Sequence, residues 1–250
     1  MEGPLGLNYA RKAGMECCED VIEELRGLGS PSIKKVLLNH GAREPFFGVK
    51  ISDLKPIEKR LKPNCKLALE LYATGISDAM YLAGLITDDK MMTRDDLQSW
   101  VDAAYWSLLS ESTVPWVAAG SDHGRDLAVA WIESPVETTA CAGWLTFSTL
   151  TLIRPDAELD LPEYAALLER VRTSIHEQPN RVRYSMNGFV IACGSNVKAL
   201  TDLAAECAAE IGEVRVMMGD TACKVPFAPD CIAEAVEKGL VGKKRKTAKC

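Results

Sequence analysis

The sequence predicts an all-α fold in which successive helix pairs stack into a solenoid, and three observations support it. Strand signals are nearly absent, whereas apolar residues recur at helical spacing along most of the chain. Residues typical of helix starts and ends punctuate these segments. The segments are roughly 10–18 residues long and pair at intervals of about 30–45 residues, as in helical repeat arrays. Such an array buries its apolar faces between neighbours and leaves a concave side for an elongated ligand.

The first clear helix boundaries lie in the N-terminal half. A helical segment from Lys66 to Ala73 ends at Gly75, and Ser77 begins the next one. Thr93, followed three residues later by Asp96, forms the capping pattern of a further helix whose apolar residues share one face. These boundaries predict three consecutive helices.

Two further predicted helix starts combine a capping residue with a proline in the first turn. Ser134, Pro135 and Glu137 resemble an N-cap, a first-turn proline and a capping-box glutamate, and they predict a helix that continues to about Thr149. The segment that begins at Asp160 repeats the pattern.

The C-terminal part contains the clearest apolar stripe. The stripe runs from Val197 to Ile211, and Gly212 is expected to end the helix because glycine adopts the left-handed conformation at little cost. Residues 213–216 alternate polar with apolar side chains, so residues 213–218 are predicted to form a short extended connector. One more helix is expected near residues 231–238.

Composition excludes several classes of protein. The longest apolar stretch, Met80 to Ile86, is too short to cross a bilayer, and the N-terminal residues lack the features of a signal peptide, so the sequence predicts a cytoplasmic protein. Nine cysteines without a CxxC pair indicate reduced thiols, and three histidines without ligand spacing predict no metal site. No cofactor motif is present, so no cofactor is expected.

Charge is distributed unevenly along the chain. Residues 91–150 hold two basic and eight acidic residues, while residues 1–90 and 151–250 each balance. Two basic clusters stand out as candidate phosphate-binding surfaces, although ordinary solvated charge explains either equally well. They are Lys50, Lys55, Lys59, Arg60, Lys62 and Lys66, and then Lys243, Lys244, Arg245, Lys246 and Lys249.

Several short segments resemble sequence motifs of the DNA alkylation repair family. They are residues 46–55, residues 67–72, Trp100 with Val101, Trp106, and residues 131–134, and they follow the order expected for that family. The resemblance covers about residues 45–212. It implies a right-handed solenoid of HEAT-like repeats in residues 1–212. It leaves residues 213–250 as a C-terminal extension with a basic tail, packed on that domain or trailing from it.

The resemblance also implies a chemistry, since characterised members are glycosylases that excise alkylated purines from double-stranded DNA. An aspartate would stabilise the sugar cation and an arginine would hold a phosphate. If Trp106 is the family's tryptophan, Ser110 replaces the aspartate, while Cys141 lies where the arginine is expected. The family's second tryptophan corresponds to Gly188. The weak replacement candidates for the carboxylate are Glu111 and Asp102, and Glu111 is otherwise expected to be a solvated or N-capping residue.

The DNA-binding candidates combine these lines of argument. They are Trp106, Ser110, Lys50, Lys55, Arg60, Arg181, Arg183, Lys224, Lys243, Lys244, Arg245 and Lys246. The tryptophans of residues 106–144 are expected either in the core or stacked on bases. The basic tail is expected to contact DNA, to be solvated, or to serve nuclear import.

The resulting function is a DNA-binding HEAT-like protein that recognises alkylated or distorted duplex DNA. Two alternatives stay open: a protein-binding scaffold, which the acidic segment 91–150 favours, and an active glycosylase that uses a non-standard carboxylate. Gly219, Asp220 and Thr221, with Lys224, form either an anion-binding turn or an ordinary turn. Cys223 and Cys250 are candidate reactive thiols because lysines lie nearby in the sequence, although no histidine pairs with either of them there.

Overall fold

The computed structural model describes residues 16–249, and this part of the chain contains helices and no strand. The thirteen α-helices are α1 Cys18–Leu28, α2 Pro31–Asn39, α3 Ile51–Leu61, α4 Cys65–Ala73, α5 Ser77–Ile86, α6 Arg94–Ala103, α7 Val114–Gly120, α8 Gly124–Trp131, α9 Glu137–Ile153, α10 Leu161–Ser174, α11 Asn180–Asn196, α12 Thr201–Ile211 and α13 Ala228–Glu237. A π turn, Leu109–Thr113, leads directly into α7. No helix within residues 16–249 is long and apolar enough to cross a membrane.

The helices pack as consecutive pairs. Within the pairs, α4 packs on α5, α6 on α7, α8 on α9, α10 on α11 and α12 on α13. The second helices of these pairs also contact each other in chain order, from α5 through α7, α9 and α11 to α13. This stacking of neighbours confirms the predicted all-α repeat array.

Three of the predicted caps lie where helices begin or end. The Thr93 hydroxyl accepts a hydrogen bond from Asp96 N at 3.1 Å, and the Asp96 carboxylate accepts from Thr93 N at the same distance. The Asp160 carboxylate likewise accepts from Glu163 N at 3.2 Å. Gly212 ends α12 with a φ of 59°, in the left-handed region that favours glycine.

The start of α9 differs from its prediction. The helix begins at Glu137, with Val136 as its N-cap, and it extends four residues beyond Thr149 to Ile153. The Ser134 hydroxyl accepts from Val136 N at 3.1 Å, so it closes a turn that precedes the helix instead of capping the helix itself. A serine followed by proline is compatible with both arrangements, and the local sequence does not separate them.

Helix α9 is the centre of the array because it is buried nearly all round. It packs against α7, α8 and α11, and most of its residues between Thr139 and Thr151 are buried. A helix that is apolar on every face belongs inside a larger assembly of helices. The aromatic side chains of Trp144, Phe147 and Phe189 form edge-to-face contacts between α9 and α11.

Four of the five tryptophans lie in the core. Trp100, Trp106, Trp131 and Trp144 are all buried, and only Trp116 is partly exposed. Two of the buried indoles donate to side-chain oxygens, from Trp106 Nε1 to Ser77 Oγ and from Trp131 Nε1 to Gln98 Oε1. Of the two alternatives that the sequence left open for the tryptophans of residues 106–144, the structure therefore supports core packing for Trp106, Trp131 and Trp144.

Gly143 allows the end of α8 to approach α9 closely, and substituting it is expected to destabilise the fold. A Cβ at Gly143 would lie 2.6 Å from Ile132 N, a backbone atom that cannot rotate away. Gly143→Ala should lower the free energy of unfolding by about 1–3 kcal/mol because the two helices must separate. Urea denaturation followed by circular dichroism measures this change.

The matched control is Gly27→Ala. Gly27 lies within α1, and a Cβ there would meet no other atom within 4 Å. Alanine should therefore stabilise this helix by about 0.5–1 kcal/mol. Equal effects of the two substitutions would contradict the close approach of α8 to α9.

Residues after Gly212 continue the array. Helix α13 begins at Ala228, three residues before the predicted start, and packs against α11 and α12. The extended segment 213–227 precedes it, and we call this segment the clasp loop. Residues 242–249 form a second non-helical segment, the C-terminal strap, which lies across the ends of several helices.

Candidate nucleic-acid interface

A cavity of about 1220 Å³ forms a trough at the helix ends, and we call it the basic trough. Its wall combines α3, the ends of α5, α7 and α9, the turn after α5, and the strap. The charged residues that line it are Lys55, Glu58, Lys59, Lys62, Asp88, Asp89, Lys90, Arg154, Lys246 and Lys249. The trough thus brings together part of each basic cluster, although the two clusters lie far apart in the sequence.

The trough carries a surplus of positive charge although the whole chain has a formal net charge of −6. Seven of its lining residues are basic and three are acidic. The acidic segment 91–150 contributes only Trp116 and Gly120. Most of the negative charge of that segment therefore lies away from the trough, where it does little to repel a bound phosphate. Asp122 is the exception, because its carboxylate pairs with Lys90 of the trough wall at 2.5 Å.

Lysines outnumber their acidic partners on α3. Lys62 and Lys55 both contact the Glu58 carboxylate, at 2.8 and 3.2 Å. Burial acts to raise the pKa of Glu58, but the hydrogen bonds from Lys62 and Lys55 outweigh it and lower that pKa. Among the described residues, Lys59 and Lys246 form no ion pair, and both side chains are exposed. Among the seven cations of the trough, these two are therefore the most free to meet a phosphate.

The C-terminal strap is held by two lysines that cap helix ends. Lys244 Nζ donates to Thr151 O in the last turn of α9 at 2.7 Å and to Asn196 O of α11 at 2.8 Å. Lys249 Nζ donates to Thr87 O, directly after α5, at 2.7 Å. The last carbonyls of a helix lack partners and carry partial negative charge, so ammonium groups stabilise them.

The strap corrects one prediction for the tail. A solvated tail is wrong for residues 242–249, because Arg245 N also donates to Leu152 O at 2.9 Å and Ala248 is buried. Lys244 is largely committed to the helix ends and to Asp156, at 2.7 Å. Lys243, Arg245 and Lys246 keep exposed side chains. Cys250 lies outside the described residues.

The other basic candidates occupy separate positions. Lys50 is exposed at the start of α3, and Lys224 is exposed on the clasp loop. Arg60 is paired with Glu16 and Glu24, which raises the pKa of its guanidinium, so it is less available to a phosphate. Arg183 is partly buried on α11.

A second cavity, of about 390 Å³, lies where the family's catalytic residues were expected, and we call it the inner cavity. The π turn, α9, α11, α2 and the clasp loop all contribute to it. Its lining residues are His40, Ser107, Glu111, Ser112, Leu145, Arg181, Tyr184, Met218 and Cys223.

An ion pair between Glu111 and Arg181 dominates the inner cavity. Arg181 Nε donates to Glu111 Oε1 at 2.7 Å and Nη2 donates to Oε2, while the guanidinium carbon lies 4.4 Å from the centre of the Tyr184 ring. The Glu111 side chain is 9% exposed. Burial raises the pKa of Glu111, and the hydrogen bonds from Arg181 oppose that rise. The expectation of a solvated or N-capping Glu111 was therefore wrong.

The π turn explains why adjacent residues have different environments. Val114 N donates to Leu109 O, five residues back, so the turn is wider than an α-helical one. Ser110 is 1% exposed and its hydroxyl donates to Trp106 O at 3.3 Å, whereas Glu111 faces the cavity. No residue pattern in the sequence predicts this turn.

The other candidates for the family's catalytic residues are buried or lie outside the inner cavity. Cys141 is buried, and burial raises the pKa of its thiol to about 12, so it is neutral at pH 7. Trp106 and Ser110 are buried and present no surface to DNA in this structure. Asp102 is exposed on α6, accepts a hydrogen bond from Gln98 at 2.9 Å and does not line the inner cavity.

Comparison with known proteins identifies the family. The family model described as DNA alkylation repair enzyme matches residues 21–206. The chain belongs to this family. The match begins at residue 21, before the resemblance seen in the sequence near residue 45, and it includes most of α1 and all of α2.

Relatives of the family extend this similarity over most of the chain. The uncharacterized protein Lin0241 of Listeria innocua is 36% identical over 219 residues, which are 85% of this chain and 94% of the relative. The uncharacterized protein Lmo0209 of Listeria monocytogenes is 35% identical over 218 residues, with the same coverage.

One solved structure is similar in both fold and sequence. It has a TM-score of 0.86 and 36% identity, and the alignment covers 94% of this chain and all of that one. It is described as representing a new family of proteins related to the HEAT-like repeat DNA glycosylases, with affinity for branched DNA structures. The similarity confirms the HEAT-like repeat fold of this family member.

Proposed function

We propose that this protein binds DNA through the basic trough, with a preference for branched DNA, and that binding does not depend on base excision. The observation that carries the proposal is the meeting of residues 55–62 and 246–249 in one trough with a surplus of cations. Lysines that neutralise phosphates release condensed counterions, and this release drives DNA binding that does not depend on base sequence. A cytoplasmic location belongs to the proposal, because the free thiols of the described cysteines suit a reducing compartment.

The preference for branched DNA rests on the similar solved structure, whose protein has that affinity. A branch point exposes phosphates of several strands at close spacing, so a short cationic trough meets more of them there than on a straight duplex. Alkylated duplex DNA is the other candidate, and the family match supports it.

The geometry of the inner cavity argues against a glycosylase that uses Glu111. A carboxylate that stabilises a sugar cation must be free to face it, and Glu111 already faces the Arg181 guanidinium through two hydrogen bonds. Base release from alkylated duplex that is lost in Glu111→Gln would contradict this part of the proposal.

Fluorescence anisotropy with labelled DNA tests the proposed function. The probes are a four-way junction, a linear duplex of the same sequence and a duplex with alkylated purines, each titrated at several salt concentrations. We expect the tightest binding to the junction and a loss of affinity as salt rises, because the contacts are mainly to phosphates. No measurable binding to any of the three probes at low salt would refute DNA binding.

Charge reversal in the trough is expected to weaken binding at least tenfold. The variant Lys59→Glu/Lys246→Glu removes two exposed cations that have no ion pair among the described residues. The slope of log affinity against log salt should fall by about two, one for each phosphate contact. The control is Lys35→Glu, which changes an exposed lysine of α2 outside the trough. The control changes the net charge by two and the double variant by four, so a control loss half as large in log affinity would show that total charge, and not the trough, determines affinity.

A further inference from the structure

The clasp loop links the C-terminal part of the chain to the end of α2. It leaves α12 at Gly212 and contacts the end of α2, where Asp220 N donates to Asn39 O at 3.1 Å. Gly219 makes the close approach feasible, since it has a φ of 77° and a Cβ there would lie 2.3 Å from Asn39 O. The loop therefore forms one wall of the inner cavity, with Met218 and Cys223 as its lining residues.

Cys223 and His40 meet at this contact. Cys223 Sγ lies 3.5 Å from His40 Nε2, although the two residues are 183 positions apart in the sequence. The other ring nitrogen, His40 Nδ1, lies 2.8 Å from Val36 O. A carbonyl accepts only, so Nδ1 carries a proton and Nε2 is left to accept the thiol proton. Sulfur, imidazole and carbonyl thus form the nucleophile, base and orienting group of an activated cysteine.

Other cysteines of the described residues differ in environment. Cys17 is exposed like Cys223, but its pKa is raised, and its sulfur donates to the Asp20 carboxylate at 3.2 Å. The hydrogen bond with His40 lowers the pKa of Cys223 instead. Cys141, Cys193 and Cys207 are buried in the core. The lysines that the sequence suggested as the cause are not the groups in contact with the sulfur.

We propose that Cys223 and His40 form a modification site that takes up an alkyl group from soft carbon electrophiles, and that this alkylation releases the clasp loop from α2. The thiol proton moves to His40 Nε2, and the thiolate sulfur then attacks carbon. A carbon–sulfur bond forms as the bond to the leaving group breaks, and the leaving group departs with its electron pair. No oxidant or reductant takes part. The added group occupies the space between Sγ and His40, so the contact that closes the loop is lost.

Labelling of the folded protein with iodoacetamide tests the modification. The labelled protein is digested with trypsin, and the peptides are analysed by mass spectrometry. The tryptic peptide of residues 216–224 contains Cys223 as its one cysteine, so its labelling rate is read directly. At pH 7 we expect Cys223 to react at least tenfold faster than Cys17, because an ordinary thiol is only a few per cent ionised at this pH. The inflection of the rate against pH should also lie lower for Cys223.

His40→Gln removes the base and should slow Cys223 to within about twofold of Cys17. The buried cysteines report on folding in the same experiment, since labelling of Cys141, Cys193 and Cys207 would rise if the variant unfolded. Equal rates for Cys223 and Cys17 in the wild-type protein would overturn the proposal, as would a rate unaffected by His40→Gln.

Hydrogen exchange tests the release of the loop. The amide of Asp220 is protected by Asn39 O, so its exchange should become at least tenfold faster once Cys223 carries the carbamidomethyl group. Exchange that is unchanged by alkylation would overturn the release. Neither result depends on DNA, so failure of this site is distinguishable from failure of the proposed function.

Discussion

Arg181→Met is expected to lower the free energy of unfolding by about 3–5 kcal/mol, the usual cost of leaving a buried charge without its partner. Glu111 would keep its carboxylate in a site where it is 9% exposed, while the two hydrogen bonds from Arg181 are lost. Burial raises the pKa of Glu111, and without Arg181 nothing opposes that rise as strongly. Urea denaturation at pH 7 measures the effect.

The pH dependence of this variant has a definite sign. A carboxyl whose folded pKa exceeds its unfolded value binds protons more readily in the folded state, so the stability deficit shrinks as pH falls. We therefore expect Arg181→Met to recover stability between pH 7 and pH 5, toward the ordinary pKa of a glutamate. The double variant Glu111→Gln/Arg181→Met should recover most of the loss at pH 7.

Arg125→Met is the matched control. Arg125 binds Glu163 through the same two-point geometry, at 3.0 and 2.9 Å, but its side chain is 53% exposed against 25% for Arg181. An exposed pair contributes at most about 1 kcal/mol. A loss as large as that of Arg181→Met, or a deficit independent of pH, would contradict the desolvation argument.

Lys249→Met is expected to destabilise the fold by about 2–4 kcal/mol, which is the second large effect. Its Nζ lies 2.6 Å from Asp89 Oδ1 and donates to Thr87 O, and the Lys249 side chain is 11% exposed. Burial raises the pKa of Asp89 and Lys249 opposes that rise, so methionine leaves an unpaired carboxylate beside an uncapped helix end. Thermal unfolding with calorimetry or circular dichroism measures the change.

Lys246→Met separates the two roles of the strap. This neighbouring side chain is exposed and lines the basic trough. We expect it to weaken DNA binding with little change in stability, the reverse of Lys249→Met. If Lys246→Met were as destabilising as Lys249→Met, the assignment of helix capping to Lys249 would fail.

The array and many of its boundaries were predictable because their signals are local. The caps at Thr93 and Asp160 and the end of α12 at Gly212 depend on residues within one helical turn. Both halves of the basic trough were also visible as clusters of lysine and arginine. The sequence does not predict that the two clusters lie side by side. Their proximity depends on how all the helices between α3 and the strap pack.

The environment of Glu111 was mispredicted for the same reason. Glu111 and Arg181 are 70 positions apart, and no periodicity links them. The sequence shows no partner for Glu111, and a glutamate without a partner is usually solvated. The π turn also shifts Ser110 into the core and Glu111 into the cavity, and no residue of the turn is specific to this conformation.

The clasp loop has a mechanical consequence. In an open repeat array each unit contacts only its neighbours, so the array behaves as a spring whose pitch changes at little cost. Here a tether between Asp220 and Asn39 fixes the distance between the first and last coils of that spring. A partner too wide for the relaxed pitch must break the tether before the coils can spread, and a partner that fits leaves it intact.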